Sequence, residues 1–219
     1  MKLLIKFPTR GRSIKFLNVL RKYYDFLDDK TTKIIVTCDT DDVDMNQSHI
    51  KEVLSGYDNV KVCYGENKSK IEAINADLDG ESFDIILLAS DDMTPIKKGY
   101  DTIIKQKMIE HYPDTDGVLW FNDGYQGNKL NTLCILGKKY YDRFNYIYHP
   151  EYISVWCDNE FMSVGNILGK QTYFSEVIIR HQHPDWGYGN RDTIHNLNVK
   201  NEKHDRELFN KRKLMNFDL

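Results

Sequence analysis

Two adjacent aspartates stand where an apolar segment ends, and they are well placed to do chemistry. Residues 84–95 read DIILLASDDMTP, so a hydrophobic run leads into the carboxylates of Asp91 and Asp92. A buried strand here would deliver both carboxylates to the carboxyl edge of a sheet, where ligands bind in open α/β proteins. Crowded carboxylates need compensating positive charge, which a hard divalent cation with bound phosphate supplies. The alternative is that Asp91 only caps a helix beginning near Ile96.

Two further polar clusters follow predicted strands. They are Thr9, Arg10 and Arg12 after residues 3–7, and Asp39, Asp41 and Asp42 after residues 33–38. Strand ends of a parallel sheet converge on one crevice, so the three clusters should face a single site. Guanidinium groups match phosphate geometry, and arginines beside a cation therefore suit a diphosphate-bearing ligand. Taken singly, Arg12 could be a solvated side chain and Asp41 a turn residue.

The elements that must position these residues alternate along the first half of the chain. Strands are predicted at 3–7, 33–38, 60–64 and 84–89, and helices near 13–27, 50–54, 69–78 and 96–111. Alternation of this kind is typical of a doubly wound α/β sheet, mostly parallel and flanked by helices.

The pattern changes near Gly117. Closely spaced strands are predicted in VLWFND and TLCILG, then a short helix at 138–144, an irregular aromatic stretch at 146–152, a helix at 158–168, and strands at 172–174 and 177–179. The sequence contains no repeat or low-complexity linker, so we predict a single domain. Residues 1–116 would form its nucleotide-binding half, 117–199 its acceptor-side half, and 200–219 a helical tail. The basic residues of the tail are interrupted by acidic ones, which favours a solvated helix face over a polyanion contact.

Bulk properties describe an ordinary globular protein. The chain has 219 residues, of which 41% are hydrophobic and 29% charged, and its net charge is −3. No apolar run approaches the roughly 20 residues of a membrane span. The amino terminus lacks a signal-peptide core, so we expect a cytoplasmic location, in a host cell if the chain is viral. The four scattered cysteines indicate buried thiols rather than a disulfide or zinc framework.

The order of these motifs resembles that of GT-A-fold glycosyltransferases of the family 2 type. PTRGR, TCDTDD, NKSKIEAIN, LLASDDM, WCDNEF and RHQHP carry the resemblance, which spans about residues 3–184. It implies a GT-A-like mixed sheet and a nucleotide pocket lined by Thr9, Arg10 and Arg12. It further implies that Asp39 and Asp41 contact the base or ribose of a nucleotide, and that Lys70 lies near it. The alternative for Lys70 is a solvated helix lysine.

The resemblance also implies a metal site. Ser90-Asp91-Asp92 stands at the family's DxD position, where Ser90 replaces the first aspartate. Asp91 would then contact the ribose, and Asp92 would ligate Mn²⁺ or Mg²⁺. His181 or His183 would supply the family's late metal ligand, since residues two apart on a strand share a face. The alternative is that both imidazoles are surface groups.

Asp158 matches the family's catalytic aspartate at the start of the acceptor-side helix. Cys157-Asp158 stands in place of the usual Glu-Asp pair. A general base must lie within hydrogen-bond reach of the acceptor hydroxyl, and Asp158 would be that base, with Glu160 as the second candidate. The alternative is that Asp158 is a plain helix cap.

The function implied is a metal-dependent, inverting glycosyltransferase that moves a sugar from a nucleoside-diphosphate sugar to an acceptor hydroxyl. A sugar-phosphate nucleotidyltransferase is one rival, although the chain lacks the usual glycine-rich, lysine-containing loop. A non-catalytic nucleotide- or glycan-binding module is the other. The sequence leaves the acceptor open among glycans, proteins, lipid-linked sugars and modified nucleic acid, and it gives no oligomeric state.

Overall fold

The computed structural model describes residues 1–182 and 193–219, with side chains up to 182 and from 200 onward. The strands are β1 (Leu3–Pro8), β2 (Lys33–Asp39), β3 (Val60–Gly65), β4 (Ile85–Leu88), β5 (Met93–Pro95), β6 (Val118–Phe121), β7 (Ile135–Gly137), β8 (Gln171–Phe174) and β9 (Ile179–His181). The helices are α1 (Ser13–Asp25), α2 (Ser48–Ser55), α3 (Lys70–Asn75), α4 (Tyr100–His111), α5 (Lys138–Tyr141), α6 (Cys157–Ile167) and α7 (Thr193–Leu214).

Seven strands form the central sheet, in the order β3-β2-β1-β4-β7-β6-β8. The first four are mutually parallel, β7 runs antiparallel to both β4 and β6, and β6 pairs in parallel with β8. This arrangement confirms the predicted doubly wound, mixed and mostly parallel sheet. The carboxyl ends of β1, β2 and β4 lie side by side as a result.

The core lies on both faces of this sheet. Successive residues of a strand point to opposite faces, so Leu4 belongs to one buried cluster and Ile5 to the other. The cluster around Ile5 packs α1, α2 and α4 against the sheet, whereas the cluster around Leu4 packs α3, α5, α6 and α7. Strands covered on both sides are hydrophobic throughout, as the IILL of β4 is.

A second, two-stranded sheet is formed by β5 and β9. The strands are antiparallel, with Met93 opposite His181. The predicted strand at 177–179 therefore lies two residues later, and β5 was not predicted. The helix expected from Ile96 begins at Tyr100, after β5, so Asp91 does not cap it.

The C-terminal segment is more deeply packed than its sequence indicates. Helix α7 crosses the predicted boundary at residues 199 and 200, and it packs on α6. Arg212 is only 5% exposed, so the solvated face predicted for the basic residues of this segment is wrong at that residue. Its Nε and Nη2 donate to the carboxylate of Glu160 at 2.8–3.1 Å, and its Nη1 donates to Asp218 at 2.8 Å.

Replacing Glu160 with alanine should lower the free energy of unfolding by about 3 kcal/mol, because the guanidinium would lose its main buried partner. Denaturant unfolding measures the change. Glu202→Ala is the control. Glu202 pairs with Arg206 on the surface of α7, the helix that also carries Arg212, and each of the two side chains is 51% exposed. It should cost about 0.5 kcal/mol or less. Equal effects of the two changes would contradict the assigned role of the buried pair.

All four cysteines are free thiols, with Cys63 half-buried and the other three buried, as predicted. Within the described ranges, no helix combines the length and apolar character needed to cross a bilayer. The division of the chain into two halves and a tail stays a prediction.

Candidate active site

A cavity of about 620 Å³ opens at the carboxyl ends of β1, β2 and β4. Residues from all three predicted polar clusters line it, together with the first turns of α3 and α6 and the end of β9. The predicted site residues among its lining are Thr9, Arg10, Arg12, Asp39, Asp41, Lys70, Asp91, Asp92, Asp158 and His181. Glu160 does not line this cavity, and His183 lies outside the described residues.

One wall of the cavity is an arginine–carboxylate network. Arg10 Nη1 lies 2.6 Å from Asp39 Oδ2 and 2.6 Å from Asp41 Oδ1, while Nη2 donates to Asp41 Oδ2 at 2.9 Å. The hydrogen bonds from Arg10 hold the pKa of Asp41 below its usual value. Asn67, which the sequence prediction missed, donates its Nδ2 to Asp39 Oδ1 at 2.8 Å. Both oxygens of Asp39 therefore already have protein partners.

The neighbouring wall carries Asp91. Its side chain is buried, and Oδ1 accepts a hydrogen bond from Arg12 Nη1 at 2.8 Å, with Lys15 Nζ at 3.7 Å. Burial raises the pKa of Asp91, and the positive charge of Arg12 opposes the rise. Thr9, three residues before Arg12, has a buried hydroxyl with no hydrogen-bond partner among the described residues. These contacts fix the positions of the charged groups on this wall of the cavity.

Asp92 and His181 are brought together by the β5·β9 ladder. Gln182 N donates to Asp92 O at 2.6 Å, and His181 Nε2 lies 3.7 Å from Asp92 Oδ2. Ser90 Oγ donates to the other oxygen, Asp92 Oδ1, at 2.5 Å. Ser90 thus orients the carboxylate two residues later.

Asp123 is a further member of this group that the sequence prediction missed. It is 2% exposed and accepts hydrogen bonds from the amides of Tyr125 and Gln126 at 2.8 and 2.6 Å, and from Thr132 Oγ1 at 2.7 Å. Its Oδ2 lies 3.5 Å from His181 Nδ1. A carboxylate behind the second ring nitrogen is the usual way to fix the orientation of a metal-ligating histidine. The signal was in VLWFND, where Asp123 follows a hydrophobic strand just as Asp91 does.

Asp92, Asp123 and His181 lie close enough to shift one another's pKa values. Burial acts to lower the pKa of His181, but Asp123 and Asp92 outweigh it and raise the pKa to about 9. Burial likewise acts to raise the pKa of Asp92, but its contact with His181 prevails and holds that pKa well below the ordinary value. His181 must give up its proton before Nε2 can ligate a cation.

These residues fit a divalent cation only as part of a larger ligand set. In the part of the chain that the structure describes, no group of three or more His, Cys, Asp or Glu side chains could hold a metal ion by itself. Asp92 and His181 supply one oxygen and one nitrogen donor. Mg²⁺ is commonly bound through one or two carboxylates completed by substrate phosphates and water, which matches this incomplete set.

Asp158 enters the cavity from the first turn of α6. The residue that precedes the helix, Trp156, adopts a left-handed conformation with φ 63° and ψ −10°. Asp158 Oδ1 accepts a hydrogen bond from the Asn159 amide at 2.9 Å. Burial raises the pKa of Asp158, and the positive charge of Lys70 opposes the rise. A carboxylate with a raised pKa is a stronger proton acceptor than an ordinary aspartate.

Glu160, the second candidate base, lies on a different side of α6. It is 4% exposed, and its carboxylate accepts hydrogen bonds from Tyr152 Oη at 2.8 Å and from Arg212. These partners belong to the core beneath α6 rather than to the large cavity. The geometry therefore assigns Glu160 to packing and leaves Asp158 as the carboxylate that faces the cavity from this helix.

The sheet order and the cavity define a glycosyltransferase fold of the GT-A type, as the sequence predicted. The fold is similar to that of the mannosyltransferase PcManGT from Pyrobaculum calidifontis in complex with GDP-Man and Mn²⁺. The TM-score is 0.67 at 14% identity, over 85% of this chain and 58% of that one. It is also similar to TarS 1-349 of S. aureus in complex with UDP-GlcNAc, with a TM-score of 0.64 at 16% identity over 82% of this chain.

The present chain spans 58% of the length of each of these two solved chains. No family model matches the sequence, and no curated protein matches it. The likeness therefore establishes the fold and does not by itself assign an activity.

Proposed function

We propose that this protein is a metal-dependent, inverting glycosyltransferase that moves a sugar from a nucleoside-diphosphate sugar to an acceptor hydroxyl. The observation that carries the proposal is that one cavity gathers all of these groups. It places the cationic Arg10, Arg12 and Lys70 at the same opening as the Asp92–His181 pair and Asp158. The solved structures with this fold that hold GDP-Man and Mn²⁺ or UDP-GlcNAc favour the same class of donor.

The donor would bind with its diphosphate toward the arginines and the Asp92–His181 pair. Guanidinium groups match phosphate oxygens in geometry and stay charged at any physiological pH. Asp92 and His181 would hold Mn²⁺ or Mg²⁺, and Asp91 would contact the ribose. When bound, the cation supplies Lewis-acid stabilisation for the charge that grows on the departing diphosphate.

Asp158 would accept the proton of the acceptor hydroxyl as that oxygen attacks the anomeric carbon. The positive charge of Lys70 opposes the rise that burial causes in the pKa of Asp158, which favours the ionised carboxylate that a base requires. Attack from the face opposite the leaving diphosphate inverts the configuration of the anomeric carbon. No covalent intermediate is needed in this scheme.

A thermal-shift screen tests the proposal. UDP, GDP, CDP and ADP should be added with and without MnCl₂, and at least one should raise the apparent stability in a manganese-dependent way. A ligand present at 100 times its Kd stabilises by about 2.7 kcal/mol, which a melting curve detects readily. The absence of stabilisation by every diphosphate would contradict the proposal.

A product assay separates the proposal from its closest rival. A glycosyltransferase releases a nucleoside diphosphate from a sugar nucleotide. The release is slow when the sugar is transferred to water and faster when it is transferred to an acceptor. A nucleotidyltransferase instead releases pyrophosphate from a nucleoside triphosphate and a sugar phosphate. Pyrophosphate release without hydrolysis of any sugar nucleotide would favour the rival.

A further inference from the structure

We propose that Asp205 of helix α7 is a positioning residue for the acceptor side of the cavity, because it fixes the loop that leads into Asp158. The inference rests on the proposed function, in which Asp158 is the base. It gives the C-terminal helix a part in the reaction, although Asp205 itself does not line the cavity.

Asp205 has no solvent exposure, and its carboxylate is saturated by the backbone of a distant loop. Oδ1 accepts a hydrogen bond from the Ile153 amide at 3.0 Å, and Oδ2 accepts one each from Ser154 and Val155 at 2.9 Å. His204 Nδ1 lies 3.0 Å from Oδ1. Three consecutive amides outside any helix or strand are thus paired by one side chain, which satisfies donors that would be costly to bury alone.

The loop held in this way is part of the cavity wall. Residues 153–158 all line the cavity, and Asp158 follows the last anchored amide by three residues. Trp156 between them has a φ of 63°, a conformation that costs a non-glycine residue on the order of 1–3 kcal/mol and persists only where its surroundings enforce it. Asp205 enforces it from one side.

A second contact with α7 completes the support. The ring of Trp156 lies 5.4 Å from that of Phe209, between ring centres, one turn further along the helix. Asn201, one turn earlier, lines the cavity directly. Helix α7 therefore holds the segment before Trp156 through Asp205 and the Trp156 ring through Phe209, and in this way it supports the loop from which Asp158 enters the cavity.

The donor side has separate supports. Its carboxylates are held by Arg10, Arg12 and Ser90, which belong to segments before residue 100. Loss of the Asp205 contacts should therefore reduce turnover and spare nucleotide binding. A merely stabilising residue would affect both in proportion to the unfolded fraction, or neither at a temperature well below the melting point.

The test compares Asp205→Asn with a matched control. Asparagine keeps one carbonyl oxygen for two of the amides but sets its NH₂ group against the third. Binding of UDP and GDP with Mn²⁺ should stay within about twofold of wild type, whereas kcat for hydrolysis of UDP-GlcNAc or GDP-Man should fall at least about tenfold with KM unchanged. Val164→Ala, which trims a buried side chain of α6 away from the loop, should lower the melting temperature and leave kcat unchanged.

Hydrogen exchange supplies a readout that needs no ligand. In the wild-type protein the amides of residues 153–155 should be protected, and in Asp205→Asn they should exchange faster. Asp205→Glu keeps both acceptor oxygens and should recover part of the protection and part of the turnover. This variant also serves if Asp205→Asn fails to fold.

Two results would overturn the inference: unchanged exchange at residues 153–155 in Asp205→Asn, or a loss of kcat in Val164→Ala equal to that in Asp205→Asn. Failure of the wild-type protein to bind any of UDP, GDP, CDP and ADP, with or without Mn²⁺, would instead refute the proposed function. Hydrogen exchange would then still decide whether Asp205 holds the loop.

Discussion

Replacing Asp158 with asparagine should reduce turnover of the sugar nucleotide by about 10²- to 10⁴-fold, the range that removal of a general base produces. The amide has nearly the same shape as the carboxylate but cannot take the proton of the attacking hydroxyl. Because Asp158 stands on the acceptor side, nucleotide affinity should stay within about twofold of wild type. Turnover is followed as released nucleoside diphosphate, and affinity by titration calorimetry.

The neighbouring acid on α6 provides the control for this change. Glu160→Gln should lower the melting temperature, since its partner is the buried Arg212, but turnover per folded molecule should be kept. Loss of nucleotide affinity in Asp158→Asn would show that Asp158 contacts the donor and is not the base. The raised pKa of Asp158 adds a further expectation: the carboxylate is a base only when ionised, so activity should fall as the pH drops through that raised pKa.

Replacing Asp92 with alanine should abolish the manganese-dependent part of nucleotide binding. A cation held by Asp92 would offset the negative charge of the bound diphosphate, and a hundredfold change in affinity corresponds to about 2.8 kcal/mol. We therefore expect the Kd of the best diphosphate with Mn²⁺ to rise at least about a hundredfold. Without manganese, the variant and the wild-type protein should bind alike.

Asp142→Ala is the matched control for Asp92→Ala. Asp142 forms an exposed i,i+4 pair with Lys138 and does not line the cavity. It should leave both the affinity and its manganese dependence unchanged. Manganese dependence that survives in Asp92→Ala would refute the metal role of Asp92, whatever the effect on turnover.

The first half of the fold was predictable because its signals are local. Strand β4 is a continuous hydrophobic run, and β1 and β2 are mostly hydrophobic, with Lys6 in β1 and Lys33 and Thr37 in β2. Each is followed closely by charged residues, and the sheet brings those strand ends together by its topology alone. Strand β5 was not predictable in this way. It is three residues long and ends in Pro95, so it has neither a hydrophobic run nor a period of two to mark it.

The supports of the site were harder to predict, since they depend on contacts between distant segments. Asp205 and the loop it holds are about 50 residues apart in sequence, and nothing in the helix pattern around Asp205 marks it as buried. Glu160 is different. It lies four residues before Val164, on the face of α6 that packs against the core. This spacing in the sequence could have indicated that Glu160 is a core residue rather than a second candidate base.

The ladder between β5 and β9 has a consequence for the proposed binding of a divalent cation. Main-chain hydrogen bonds between β5 and β9 fix the distance between the backbones of Asp92 and His181, so no bound ion is needed to bring the two residues together. Little conformational entropy is then lost on capture, and the same two donors remain in register after departure. In the proposed reaction, a cation held by this pair could therefore leave with the spent nucleotide and be replaced without rearrangement of the backbone that carries the two residues.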